Sequence, residues 1–255
     1  PHCHQRSSAD CVRYRMRPRE ILDCCEEGDS LDIRSFLLRS GPDRFYTDKM
    51  LCGLIDKVRE HFPGCAITLA VGERCRESLR RLADAGADRY VLLQETADRE
   101  RFRRTHPAAL DHDKRLHCLN ELKENGFQTT CGFLVGDQTP LELAKELKFL
   151  EEFQPQTLEL VQVGSREPGL MGYLLSILRL VLPQAMIVAP GNGPEEVLAG
   201  ANVVQLSLLE SRESFPLCCG NPCPGPASQL TLAALHQALS GAGFEITTEA
   251  PAWNE

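Results

Sequence analysis

The chain has 255 residues, 42% hydrophobic and 25% charged, which fits an ordinary globular protein with a core large enough for one (β/α)8 barrel. A formal net charge of −8, with 10 Phe, 1 Trp and 4 Tyr, excludes the basic, aromatic-interleaved surface that nucleic-acid binding needs. The 12 cysteines lack the even spacing of a secreted disulfide scaffold, so a reducing, cytoplasmic setting is expected.

Short β-branched or apolar runs alternate with amphipathic stretches along the chain. Residues 18–27 predict a helix with no strand before it, and the first strand candidate is 33–38. A helix over 48–62 starts behind Thr47, followed by a strand at 66–71, a helix at 77–85 and a strand at 89–93. Next come a helix at 114–125, a strand at 129–135, and a helix at 141–153 that Thr139-Pro140 opens with proline in its first turn. Strands at 157–163, 185–189 and 202–206 complete the series. The longest apolar run, from Leu174 to Val188, is interrupted by Arg179, Pro183 and Gln184 and predicts no membrane span. Residues 214–226 are rich in Pro, Gly and Cys, then 230–239 reads as a helix and 244–247 as a short extended piece. No internal repeat or interdomain linker stands out.

This alternation requires parallel pairing, because each crossover helix returns the chain to the same end of the sheet. The expected fold is therefore α/β, a (β/α)8 TIM-type barrel over residues 1–210, with 211–255 as a tail packing on it. Seven strands are countable where a barrel takes eight. With Pro1 standing where an initiating Met would be, the missing first strand is expected upstream.

In such barrels the active site forms at the carboxyl ends of the strands. Those ends carry Arg39-Ser40-Gly41-Pro42-Asp43, Gly72-Glu73-Arg74, Gln94-Glu95-Thr96, Gly136-Asp137 and Gly191-Asn192-Gly193. Acidic residues and glycines at so many strand ends suggest a polar ligand, although both are also ordinary turn residues. The consecutive amides at 191–193 could receive an anion. At the amino terminus His2, Cys3, His4 and Cys11 lie close together. They could ligate zinc, but no pair has the usual ligand spacing.

Several segments taken in order resemble a known family. "PHC" followed by "RYRM", then "RSGPD", "ITLAVGER", "GADRYVLLQETAD", "KRLHCLNELKENGFQTTCGFLVG" and "AGANVV" are similar to the FeFe-hydrogenase maturase branch of the radical S-adenosylmethionine enzymes, near biotin synthase and methylornithine synthase. The resemblance covers residues 1–210. It implies a 4Fe-4S cluster held by a C-x3-C-x2-C loop, whose open iron chelates S-adenosylmethionine and drives its reductive cleavage to a 5′-deoxyadenosyl radical. His2-Cys3 matches the end of that loop, so Cys3 would be the third ligand. The other two cysteines are expected before Pro1.

The resemblance also implies roles for single positions. Glu95 matches the acidic strand-end residue that approaches the ribose, where a carboxylate accepts from both sugar hydroxyls. Arg115 matches the arginine that pairs with the methionine carboxylate. Ser40 and Gly41 match the loop near the methionine amino group, and Thr68 and Ala70 match positions on the substrate side. No catalytic side chain is assigned. The substrate would be a small molecule or an organometallic precursor, and the electron donor an external ferredoxin or flavodoxin. No nucleic acid or membrane partner is implied.

Two departures bear on the substrate. Leu93 stands where the family pattern has an arginine, and Gln94 where it has a histidine. Cys218, Cys219 and Cys223 sit where some members carry a second iron–sulfur site, but their spacing differs and a second cluster is not expected. Three other readings remain open: a methylornithine- or biotin-synthase-like reaction, a non-catalytic barrel that binds S-adenosylmethionine, and a zinc protein.

Overall fold

A computed structural model describes residues 14–41, 43–163, 169–208 and 232–247. In chain order its elements are α1 (Pro18–Ser30), β1 (Ser35–Arg39), α2 (Asp48–His61), β2 (Ala66–Ala70), α3 (Arg76–Asp84), β3 (Arg89–Val91), α4 (Arg99–Thr105), α5 (His112–Glu124), β4 (Gln128–Cys131), β5 (Leu134–Val135), α6 (Pro140–Phe153), β6 (Thr157–Leu158), β7 (Val161–Gln162), α7 (Leu170–Val181), β8 (Met186–Ile187), α8 (Pro194–Leu198) and α9 (Leu232–Gly241). They form two compact units. One is built from residues 13–92 and 113–130, the other from 93–112 and 131–246.

In the first unit β1, β2, β3 and β4 pair in parallel, with Leu37 opposite Thr68, Thr68 opposite Arg89, and Arg89 opposite Gln128. All of β2 is buried, as a strand covered on both faces should be. Helix α2 turns Leu51, Leu54, Ile55 and Val58 inward at helical spacing. Each such side chain contributes about 1.5–3 kcal/mol by leaving water. Its start is set by Thr47, whose hydroxyl accepts the Met50 N–H at 3.3 Å. Tyr90 is fully buried, packs edge-on against Phe127 and donates its hydroxyl to the Gly72 carbonyl at 2.7 Å.

In the second unit β6 pairs with β8 and β5 with β7, again in parallel. The strand expected over 129–135 is divided at Gly132 into β4 and β5, and that over 157–163 into β6 and β7. At this point the two backbones approach closely: a Cβ on Gly132 would lie 1.7 Å from the Glu159 carbonyl oxygen. The backbones nevertheless stay in register, since Glu159 N–H donates to Cys131 O and Val161 N–H to Phe133 O. The strand expected at 202–206 is reduced to a single bridge between Val203 and Val188. Helix α6 begins on a capping box, with Thr139 and Glu142 each accepting the other's N–H. Helices α4, α7 and α8 were not among the sequence-derived helices.

The structure also contains an internal repeat that the sequence reading misses. In the first unit Arg59, near the end of α2, donates to the carbonyls of Cys65 and Gly86. In the second, Arg179, near the end of α7, donates to those of Ala185, Pro183 and Gly200. Both arginines lie four residues before a proline and six before the carbonyl they clasp. Both also clasp the glycine of an Ala-Gly-Ala turn, at φ +101 for Gly86 and +118 for Gly200, where an L side chain would be strained and would crowd the arginine. The residue two beyond each glycine, Asp88 or Asn202, accepts the N–H of Ile67 or Ile187 at 2.7 Å. The two clasps differ in one respect. Arg59 Nη2 pairs with Asp88, whereas Arg179 Nη2 is buried without a partner among the described residues.

Candidate functional site

In the first unit the ends of β1 and β2 lie side by side. Arg39 faces Ala70 in register, and the Ser40 N–H donates to the Ala70 carbonyl at 2.9 Å. Ser40 Oγ donates to the Gly41 carbonyl at 2.9 Å, and Gly41 itself is exposed with open space around it. Thr68 and Ala70, two residues apart on β2, share one face of the strand and are both buried. Arg115, in the first turn of α5, is mostly buried and donates Nε to Glu73 Oε1 at 2.9 Å. One turn further on, the Cys118 thiol donates to the Arg74 carbonyl at 3.5 Å. The loop after β2 is thus tied to α5 at two points. Ser40, Gly41 and Ala70 come together at the strand ends, and Arg115 reaches the same loop through an ion pair the sequence reading did not foresee.

In the second unit the loop 94–98 is held from several sides. Glu95 adopts a positive φ of 65, a conformation that costs a non-glycine residue free energy and must be held by its surroundings. Its N–H donates to Gly132 O at 3.1 Å and its carbonyl accepts from the Leu134 N–H at 3.0 Å. The turned backbone sends the carboxylate to His106, whose Nε2 lies 2.5 Å from Oε2. The His106 side chain is 5% exposed and that of Glu95 19%, so the carboxylate keeps a face toward solvent. The imidazole stacks on Phe102, with centroids 3.9 Å apart and planes 7° from parallel.

Neighbouring side chains fix the rest of the loop. Gln94, fully buried, accepts the Gly132 N–H on Oε1 at 2.9 Å. Thr96 donates its hydroxyl to Glu146 Oε1 at 2.5 Å, and the Ala97 N–H donates to Glu146 Oε2 at 2.7 Å. Glu146 comes from α6 and is fully buried. Burial pushes its carboxyl up to about 7 despite these hydrogen bonds, which pull the other way. Asp98 caps α4 by accepting the Arg101 N–H at 2.7 Å. Its carboxyl is held low, first by Lys145 and then by that amide. Buried Arg101 donates to Asp137 Oδ1 at 2.7 Å, which lowers the Asp137 carboxyl.

His106 and Glu146 are the residues the sequence reading missed. Thr105-His106-Pro107 carries one usable signal, since proline stops the short α4 at the histidine. A further expectation is corrected. The amides at 191–193 are not open to an anion, because Glu196 accepts the N–H groups of Gly191 at 2.7 Å and Gly193 at 3.3 Å. Cys3, with His2, His4 and Cys11, lies outside the described residues, as do Cys218, Cys219 and Cys223. Among the described residues no group of three or more His, Cys, Asp and Glu is placed to hold a metal, and no helix is long and apolar enough to cross a membrane.

Comparison with known proteins finds chains of similar sequence and structures of similar fold. No family model matches the chain. It is 29% identical over 245 residues to the FeFe hydrogenase maturase subunit HydE of Thermotoga maritima, covering 86% of this chain and 69% of that one. It is 27% identical over 153 residues to biotin synthase of Bacillus subtilis (57% and 44% covered). Against 3-methylornithine synthase of Methanosarcina acetivorans it is 24% identical over 229 residues (82% and 65% covered). Among solved structures, methylornithine synthase superposes with a TM-score of 0.78 at 21% identity, covering 96% of this chain and 78% of the other. The FeFe-hydrogenase maturase HydG from Carboxydothermus hydrogenoformans gives 0.77 at 19%, covering 95% and 62%. The fold is accordingly the α/β, TIM-barrel class expected from the strand–helix alternation.

Proposed function

Because this chain is a homologue of the radical S-adenosylmethionine enzymes, we propose that the whole protein cleaves S-adenosylmethionine reductively beside a 4Fe-4S cluster, in the assembly of the FeFe-hydrogenase active site. The observation that carries this reading is the similarity to a hydrogenase maturase along 86% of the chain. The strand end suits S-adenosylmethionine, because the partly exposed carboxylate of Glu95 can accept hydrogen bonds from a ribose diol. For the cluster the family relationship is the support, with Cys3 as the ligand this chain contributes.

A bound cluster would supply the electron for reductive cleavage of S-adenosylmethionine. The chain's own residues bind and orient. Arg115, whose Nε donates to Glu73, pairs with the methionine carboxylate. Ser40 and Gly41 lie near the methionine amino group, and Thr68 and Ala70 line the substrate side. Residues 1–210 form the barrel and 211–255 pack on it as a tail. The substrate is a small molecule or organometallic precursor, the electron donor a ferredoxin or flavodoxin, and the compartment the cytoplasm. A second cluster at Cys218, Cys219 and Cys223 is not part of the proposal.

A second reading is a methylornithine- or biotin-synthase-like reaction. Leu93 and Gln94 stand where the family pattern has an arginine and a histidine, which bears on the substrate that is held, and the Gln94 carbonyl is engaged by a backbone amide. Anaerobic iron–sulfide reconstitution of the full-length protein tests both readings. The expected result is a brown protein whose reduced cluster has an electron paramagnetic resonance spectrum that changes on adding S-adenosylmethionine, with the cluster impaired in Cys3→Ala. Colourless protein with stoichiometric zinc would contradict either reading. A cluster that responds to S-adenosylmethionine without cleaving it would favour a non-catalytic binding barrel.

A further inference from the structure

Three features of the fold stand outside the assigned roles: an open groove lined by Asp48, Cys52, Asp56 and Arg81, a row of exposed apolar residues at Tyr173, Leu180 and Leu198, and the Glu95–His106 pair. Only the last combines a buried titratable group with a residue that has a proposed ligand. We infer that His106 is a positioning residue that holds the Glu95 carboxylate in its ribose-binding orientation, an inference that rests on the proposed role of Glu95.

Both nitrogens of the ring are held. His106 Nδ1 lies 2.9 Å from the Thr105 hydroxyl oxygen and 3.1 Å from the Phe102 carbonyl oxygen, and the Thr105 hydroxyl is itself 2.8 Å from the Arg101 carbonyl. Nε2 lies 2.5 Å from a carboxylate oxygen of Glu95. Two acceptors do not approach so closely without a proton between them, so a proton lies on the Nε2–Oε2 axis.

This arrangement does two things for Glu95. It fixes one carboxylate oxygen against a ring that is itself locked by stacking on Phe102, so the side chain loses little freedom when a ligand arrives. It also ties down a side chain whose backbone sits in a strained conformation. A diol on the exposed face of the carboxylate meets a preset acceptor.

The test is equilibrium binding to the reconstituted full-length protein, using S-adenosylmethionine, 5′-methylthioadenosine, which has the ribose without the methionine, and methionine, which has no ribose. His106→Phe keeps the stack and removes the nitrogen. It should weaken S-adenosylmethionine and 5′-methylthioadenosine by about tenfold and leave methionine unchanged. His106→Gln, which can still donate to Glu95, should recover most of the loss and covers the case of a poorly folded phenylalanine variant. Combined with Glu95→Gln, His106→Phe should add little, since the two residues act as one unit. If Glu95→Gln weakens the ribose ligands but both His106 variants bind like wild type, the inference fails and the ribose role stands. If Glu95→Gln leaves all three affinities unchanged, the ribose role of Glu95 fails, and this inference with it.

Discussion

The mismatch between the two arginine clasps yields a stability prediction that can be worked from geometry. Arg59 and Arg179 occupy equivalent places, and each binds the carbonyl six residues on and that of a left-handed glycine. Asp88 gives Arg59 Nη2 a carboxylate, while the corresponding Asn202 leaves Arg179 Nη2 buried without a partner among the described residues. Burial alone pushes the Arg179 guanidinium below its usual value, the mark of a charge lacking its counterpart. Asn202→Asp should supply that counterpart and keep the acceptor for the Ile187 N–H. Satisfying a buried charged donor is worth about 1–3 kcal/mol, and because the side chain at 202 is exposed the lower end applies, about 1 kcal/mol. Asp88→Asn is the reverse change and should cost a similar amount. For a chain of this size 1 kcal/mol moves the melting temperature by about 2–4 °C. Thermal and urea unfolding of wild type, Asn202→Asp, Asp88→Asn and Asn202→Asp with Arg179→Lys would measure this, and the last variant should lose most of the gain. An unchanged midpoint in both single variants would mean that neither guanidinium draws on the carboxylate, and the reasoning would fail.

Three further outcomes are expected. Glu146 has a folded pKa of about 7, above the 4.5 of an ordinary glutamate, so the folded state binds more protons between those values. Its contribution is full below about pH 4.5 and is lost as pH rises through 7, a span worth on the order of 3 kcal/mol at most. Urea midpoints should fall between pH 5 and pH 8 in wild type and much less in Glu146→Gln; equal slopes would contradict this. Gly132→Ala places a methyl group 1.7 Å from the Glu159 carbonyl and should destabilise the protein by about 3 kcal/mol or more. A neutral Gly132→Ala would show that the two backbones do not lie so close. Cys75 is exposed, whereas Cys25 is buried with its thiol pushed up to about 12 by burial. Iodoacetamide at pH 8 followed by peptide mass spectrometry should therefore find Cys75 modified before Cys25, and prior labelling of Cys25 would overturn the packing described.

Much of the fold was legible because its signals are local. The stripe Leu51, Leu54, Ile55 and Val58, the threonine caps at Thr47 and Thr139, and the mostly apolar β2 each declare an element within a few residues. The missed pieces depend on distant partners. The close approach at Gly132 depends on the Glu159 carbonyl opposite it, and the bridge at Val203 depends on Val188. The arginine repeat escaped notice since its conserved spacing joins residues that differ in type, such as Phe62 and Leu182 or Asp88 and Asn202. The candidate site divides the same way. Ser40, Gly41, Glu95 and Arg115 could be named from their motifs. His106 and Glu146 could not, nor could the pairing of the strand-end Glu73 with Arg115, because a hydrogen-bonding partner 11, 50 or 42 residues away leaves no periodic mark.

The central claim is that this chain belongs to an enzyme that cleaves S-adenosylmethionine. Its most direct test is the amount of 5′-deoxyadenosine formed when the reconstituted, reduced full-length protein is incubated with S-adenosylmethionine and analysed by mass spectrometry. The account predicts steady formation that requires both the reductant and Cys3. Tight binding of S-adenosylmethionine with no 5′-deoxyadenosine above the level of the Cys3→Ala variant would contradict it.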